Sequence, residues 1–451
     1  MTPNEGAPPH ETPQGSARGG VGESAQPAPF APEVGVRESR TLTLGEYGRR
    51  WWSRVRAGET GILPVIAGLI LITIVFEIIS PRHIFLAPGN LVNLFQQSAV
   101  FMVLAMAECF VLLLGEIDLS VGYVGAVGAV VTVQLVQPTT AKWPWIAAIL
   151  AGIAVGAFIG LLQGTLITRL GLPSFVVTLA GLLIFNGVML ILLLLGPFSG
   201  YPSLSSPNAN PQFIYALMWG TLDPVVSWIA MFVVVALLGA VMWFSDSRRR
   251  RSGLVAPPVL ITILKIALLA AVGIAVVAIC DINRANLGVL EGVPWVIVIV
   301  LAFLGGWTIL LERTRYGRAV YAIGGNPEAA RRAGISLAGV RTIAFVLCSA
   351  TAAVGGMLYA SYLGGMSNNV NGGQLVLYAV AAAVIGGTSL FGGRGRMMHG
   401  VLGGLVIGAI YNGMYLLSLA AQWQFIVTGL VLIAAVTIDA LSRRGATTAT
   451  R

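Results

Sequence analysis

From about residue 60 onward the chain alternates apolar runs of about 16 to 23 residues with short polar stretches. A helix needs ~20 apolar residues to cross a ~30 Å hydrocarbon layer, and it satisfies its own backbone donors and acceptors there. Barrel strands need only ~9 to 11 residues, so runs of this length suit helices. The pattern predicts an all-α, polytopic membrane helical bundle of about twelve transmembrane helices. They fall near residues 61–79, 99–114, 119–137, 144–163, 174–196, 226–244, 258–280, 294–312, 345–363, 376–394, 398–417 and 423–441. The second run is short, and its end near Gly115 has the look of a helix broken inside the membrane.

The two ends read differently. Residues 1–58 are rich in Pro, Gly, Glu, Ser and Ala and hold too few large apolar side chains to build a core, which predicts a disordered cytoplasmic tail. They lack the apolar segment and cleavage site of a signal peptide, so the first span is expected to stay uncleaved. Arg49, Arg50, Arg54 and Arg56 beside Trp51 and Trp52 read as an interfacial anchor in contact with lipid headgroups. Residues 59–442 form the transmembrane domain, and 443–451 a second short cytoplasmic tail.

Composition excludes a soluble enzyme: 56% of the 451 residues are hydrophobic and 10% charged, against roughly a quarter charged in soluble domains. The net charge of +9 forms no basic stripe interleaved with aromatics, so nucleic acid is not an expected partner. The arginines instead set orientation. Arg248 to Arg251 follow the sixth span, Arg313, Arg315, Arg318, Arg331, Arg332 and Arg341 the eighth, and Arg443 and Arg444 the twelfth. The loops near 197–225 and 364–374 hold no Lys or Arg. By the positive-inside rule both termini are cytoplasmic, with Arg82, Lys142 and Arg284 as outer exceptions.

Glycine is patterned. Gly152, Gly156, Gly160 and Gly164 recur every fourth position, as do Gly400, Gly404 and Gly408. That spacing places each set on one helix face, where neighbouring backbones can approach and gain dispersion contacts. A weak internal repeat pairs Ile184-Phe185-Asn186-Gly187 with Ile410-Tyr411-Asn412-Gly413. Asn186 and Asn412 read first as hydrogen bonds between helices and second as pathway contacts.

No catalytic constellation is visible. A P-loop needs Gly-Lys-Ser/Thr, yet the two lysines, Lys142 and Lys265, follow Ala141 and Leu264. His10, His83 and His399 have no ligand spacing, and Cys109, Cys280 and Cys348 form no CxxC pair. No metal or other cofactor is expected. Glu108, Glu116 and Asp118 stand out, because an intramembrane carboxylate is costly and usually faces protein or a wet cavity. With Ser120 they are candidates for lining or gating a path; alternatively Glu116 and Asp118 cap the helix that begins near Leu119.

The connector 313–341 is the most informative polar segment. Asn326 can cap a helix begun by Pro327, with Glu328 suiting its positive end, Ala329 and Ala330 on a small-residue face, and Gly334 before Ile335 to stop it. Its pattern fits either an ordinary amphipathic connector or a short exposed helix shaped for a cleft in another protein.

This segment, Gly317-Arg318 through Tyr321-Ala322-Ile323-Gly324-Gly325-Asn326 to Gly334-Ile335, resembles the coupling helix of ABC-type sugar permeases of the ribose/xylose family. Two further segments share the resemblance: Gly115-Glu116-Ile117-Asp118-Leu119-Ser120-Val121-Gly122, and Ile385-Gly386-Gly387-Thr388-Ser389-Leu390-Phe391-Gly392-Gly393-Arg394-Gly395-Arg396. It covers roughly residues 61–441 and implies a permease subunit in a bacterial inner membrane. The resemblance further implies two permease copies forming a pathway, a separate ABC ATPase subunit docked on the connector, and an extracytoplasmic sugar-binding protein. An apparent insertion at 226–290, adding a helix pair, together with Glu116, is similar to the xylose-type branch, which makes D-xylose the leading substrate. The competing expectation is an ion-coupled secondary transporter that uses Glu108 or Asp118 as its carrier.

Overall fold

The computed structural model describes residues 43–56, 61–194, 200–254, 256–285, 290–420 and 422–431, with positions 433 and 437. The delimited α-helices are α1 Leu44–Arg56, α2 Leu63–Ile79, α3 Pro88–Leu112, α4 Val121–Leu135, α5 Trp145–Arg169, α6 Ser174–Leu194, α7 Ala209–Trp219, α8 Pro224–Arg251, α9 Val259–Cys280, α10 Trp295–Arg313, α11 Arg315–Gly325, α12 Pro327–Arg332, α13 Leu337–Leu363, α14 Gly372–Ile385 and α15 Met397–Leu416. Among the described residues eight of these, α3, α5, α6, α8, α9, α10, α13 and α15, are long and apolar enough to cross a membrane, and α2, α4 and α14 are shorter apolar helices. Two isolated bridges are the sole β-type pairings there. The chain is a polytopic, all-helical membrane protein.

Several expected boundaries move, each for a physical reason. The second span begins at Pro88 and not near 99, because Gln96, Gln97 and Ser98 are buried inside the bundle, where amide hydrogen bonds make polar residues tolerable in a span. The tenth span ends at Ile385, short of the expected 394, since Gly387 turns to φ +111 and opens a loop. Of the expected 1–58 tail, residues 44–56 form α1: the Glu46 amide donates to Thr43 Oγ1 (3.3 Å) and the Thr43 amide to Glu46 Oε2 (3.0 Å), a reciprocal capping box. The rest of that tail up to 42, and 443–451, lie outside the described residues. Only part of the expected span 423–441 is described; 422–431 is helical. The loop 197–225 contains α7, whose end is fastened to α13 by Ser361, which donates to the Tyr215 carbonyl and accepts from the Met218 amide.

The bundle is layered. The central helices are α3, α13 and α15, with the short α4 and α14 between them; 94% of the most apolar stretch of α3 is buried, against 11% in α9. Helix α13 packs on α5, α4 and α3, and α15 packs on α3, α14 and α2. The outer helices carry large exposed apolar side chains such as Leu183, Leu237 and Leu268, the surface that hydrocarbon covers. Helices α8 and α9 pack mainly on each other, with a small shared cluster of Met231, Val277 and Cys280.

Glycines set the closest approaches. A Cβ added at Gly152 would sit 2.1 Å from Thr132 Oγ1, at Gly156 2.7 Å from the Ser349 carbonyl, at Gly160 2.3 Å from the Phe345 carbonyl and at Gly164 2.8 Å from Thr342 Cα, so this stripe holds α5 against α4 and α13. Gly400, Gly404 and Gly408 hold α15 against Met106, Met102 and Ser98 of α3 in the same way. A third stripe, Gly122, Gly125 and Gly128 on α4, meets Gly372, Ala352 and Ala353; its spacing of three is the signal that identifies it in the sequence.

Gly160→Ala is expected to lower the melting temperature of the purified protein by several degrees, through overpacking of about 1–3 kcal/mol. Gly305→Ala on α10, where a new methyl meets nothing within 4 Å, should leave it unchanged or slightly raised. Equal shifts from the two would show that close approach does not govern packing.

Candidate functional site

The arginine-rich end of the bundle is built around the connector between α10 and α13. Thr314 ends α10 and caps α11, its hydroxyl accepting from the Gly317 amide at 3.2 Å. Gly317 allows the sharp corner, since a Cβ there would strike the Leu311 carbonyl at 1.9 Å. Val320 and Ile323 of α11 are buried against the bundle, and burial pushes the phenols of Tyr316 and Tyr321 up, so both remain hydroxyl donors.

Asn326 then caps α12: its Oδ1 accepts from the Ala329 amide at 3.0 Å, with Pro327 in the first turn beside Glu328. Gly334, at φ +81, stops the helix while the Ile335 amide returns to the Ala330 carbonyl at 3.1 Å. Ala330 is buried and Ile335 half-buried, but Asn326, Pro327, Glu328, Ala329 and Gly334 are exposed, so α12 protrudes. Glu328 pairs with Arg331 at 2.9 Å and Arg332 at 3.2 Å; at this exposure such pairs contribute ~0–1 kcal/mol and mainly fix local shape.

At the base of α12 the three motif segments meet backbone to backbone. The Leu113 carbonyl at the end of α3 accepts from the Gly393 amide at 2.9 Å. Gly324, closing α11, lies directly over that bond: a Cβ on it would fall 1.9 Å from the Leu113 oxygen and 2.5 Å from the Gly393 nitrogen. Gly392, at φ +82, presses in turn on Gly115 and Gly324. Tyr321 donates to the Gly395 carbonyl at 2.9 Å, and Glu116 meets Arg341 of α13 at 3.3 Å, both half-buried. One junction therefore joins the foot of α12 to α3, to α13 and to the link between α14 and α15.

The break between α3 and α4 is held by Asp118. Its Oδ1 accepts from the Ser120 amide (2.9 Å) and hydroxyl (2.6 Å), and Ser120 Oγ accepts from Gln163 Nε2 at 2.8 Å. Cys348 donates to its other oxygen at 3.7 Å. Asp118 thus forms a turn two residues before the cap of α4 and does not cap the helix directly; Ser120 occupies the cap position. Glu108 is fully buried on α3, and neither carboxylate oxygen has a hydrogen-bond partner among the described residues.

Toward the opposite end, between α3, α13, α14 and α15, lies a chamber lined by aromatic and amide side chains, including Gln97, Phe101, Tyr362, Gln374, Tyr378 and Tyr411. Its lining residues include no Asp, Glu, Lys, Arg or His. Asn412 borders it and ties α15 to α3: its Nδ2 donates to Gln97 Oε1 and to Asn90 Oδ1, both at 3.1 Å, while Gln97 Nε2 donates to Tyr362 at 2.8 Å. Asn186 is half-buried on α6 and takes no part in this network.

The structure therefore gathers Glu116, Asp118 and Ser120 near the arginine-rich end, sets the buried Glu108 beside Asp118, and places Asn412 in the opposite half of the bundle. Sequence reasoning missed Arg341, Gln163 and the chamber. Arg341 stood in the sequence only as one of the connector's orienting arginines, with nothing to pair it with Glu116; the chamber tyrosines are spread over three helices with no shared spacing.

Residues 90–436 match the family described as branched-chain amino acid transport system / permease component. The xylose transport system permease protein XylH of Escherichia coli is 30% identical, with 87% of this chain and 95% of that protein covered. XylH of Haemophilus influenzae is 32% identical over 83% and 95%, and the Escherichia coli ribose import permease RbsC is 29% identical over 87% and 97%. No solved structure matches the chain. A family match over most of the chain and relatives at 30% identity or more show that the chain belongs to this family of ABC-type transport permeases, as a component without an ATPase of its own.

Proposed function

We propose that the chain is the membrane subunit of an ATP-driven importer for a neutral monosaccharide, with D-xylose its leading substrate. A separate ATPase docks on α12, and an extracytoplasmic binding protein delivers the sugar. The observation that carries this reading is the junction under α12. A short exposed helix is fixed at its base, through glycine contacts without intervening side chains, to the ends of the central helices. Packed interiors transmit displacement and do not absorb it. Closure of docked ATPases would then tilt α12 and, through Gly324 and the Glu116–Arg341 pair, bias α3 and α13 between outward and inward openings.

The rest of the reading follows from charge and kinship. Two copies of the chain form the pathway in a bacterial inner membrane. Each has twelve spans, both termini cytoplasmic, 313–341 as the coupling loop and 226–290 as an added helix pair. The faint likeness between the Asn186 and Asn412 segments would be the trace of a duplication. D-Xylose is supported by xylose permeases at 30% and 32% identity, against 29% for the Escherichia coli allose and ribose permeases. An ion-coupled carrier built on Glu108 or Asp118 is disfavoured by family membership.

Proteoliposomes holding this chain, its ATPase and its binding protein should accumulate D-xylose only with ATP. Uptake by the chain alone under a proton gradient would overturn the reading. Gly324→Ala, which forces the junction apart, and Gly334→Asp, which alters the stop of α12 at a positive φ, should each lower sugar imported per ATP hydrolysed by an order of magnitude or more. Undiminished transport by both variants would remove α12 and its base from the coupling route.

A further inference from the structure

We infer that the chamber between α3, α13, α14 and α15 is a contact station for a neutral pyranose on its way in, a proposal that rests on the transport reading and names the residues that meet the sugar. Its position fits. Gln97 lies in the first half of α3 and Phe101 at its middle, Tyr362 in the last turn of α13, Gln374 and Tyr378 in the first turns of α14, and Tyr411 toward the end of α15. The chamber therefore runs from the middle of the bundle toward the end away from α12, where sugar would arrive.

The chemistry fits as well. Phe101, Tyr378 and Tyr411 form an edge-to-face triad with centroids 5.0, 5.6 and 6.0 Å apart. Such rings offer apolar faces to the axial C–H bonds of a pyranose, while phenol and amide groups at their rim meet its hydroxyls. The polar groups are poised to do so. Tyr362 accepts from Gln97 and Tyr378 accepts from Gln374 Nε2 at 2.8 Å each, so each phenol is oriented by an amide and keeps its own proton to donate. The amide chain from Asn90 through Asn412 and Gln97 fixes that orientation from behind.

Charge discriminates between ligand classes. The family's description names branched-chain amino acids, which arrive as zwitterions, and burying an ammonium or a carboxylate without a partner is costly. No lining side chain carries charge. A neutral polyol incurs no such cost. Neutral donors and weak contacts also suit a station that must release what it takes, because tight binding belongs to the delivering protein and passage requires easy departure.

The test uses the full chain carrying Gln374→Cys, labelled with a membrane-impermeant methanethiosulfonate; Cys109, Cys280 and Cys348 are buried and leave a low background. D-Xylose at high concentration should slow labelling several-fold, while leucine and the bulkier disaccharide sucrose at equal concentration should not. Adding Tyr411→Ala should abolish the protection. Absence of protection by D-xylose, or equal protection by leucine or sucrose, overturns the station. Failure of the transport reading shows elsewhere, as absent ATP-driven import by the complete wild-type assembly, so the two failures are distinguishable.

Discussion

A single backbone contact governs the architecture: Gly324 of α11 resting on the hydrogen bond between the Leu113 carbonyl and the Gly393 amide. Any side chain at Gly324 would separate these segments, so the foot of α12 and the end of α3 meet as bare backbone. Contacts of this kind have little compliance, whereas a pair of long side chains can reorient and lose the displacement. The positive φ values of Gly115, Gly392 and Gly393 serve the same end, turning each segment sharply enough for three chain regions to share one point.

The central helices extend that logic through the membrane. Helix–helix association in lipid lacks the hydrophobic driving force found in water and relies on close packing and interhelical hydrogen bonds. The glycine stripes of α4, α5 and α15 supply the first, and the Asn90, Gln97, Asn412 network supplies the second. Because α3 joins both stripe and network, and ends at the Gly324 junction, it is the element that connects the exposed helix to the chamber at the far end.

Much of this was legible in the sequence because its physics is local. Apolar run length located the helices, spacing of four revealed the stripes on α5 and α15, and the Asn326, Pro327 and Gly334 signals outlined α12 to within a residue. What was lost depends on partners far along the chain. The start of α3 was misread because Gln96 and Gln97 look like a loop until their partners, the Met218 carbonyl and Tyr362, are in place. Glu116 could not be paired with Arg341, 225 positions later, without the fold. The capping box of α1 was present as Thr43 and Glu46, but the surrounding Gly- and Ser-rich composition masked it.

Whether force enters at α12 from the cytoplasm can be read from thiol accessibility of Ala329→Cys, an exposed position on that helix. An impermeant reagent should label it in inside-out vesicles but not in intact cells, and a bound ATPase subunit should protect it. Labelling from the outer face, or unchanged labelling with the ATPase in place, would contradict entry of force there.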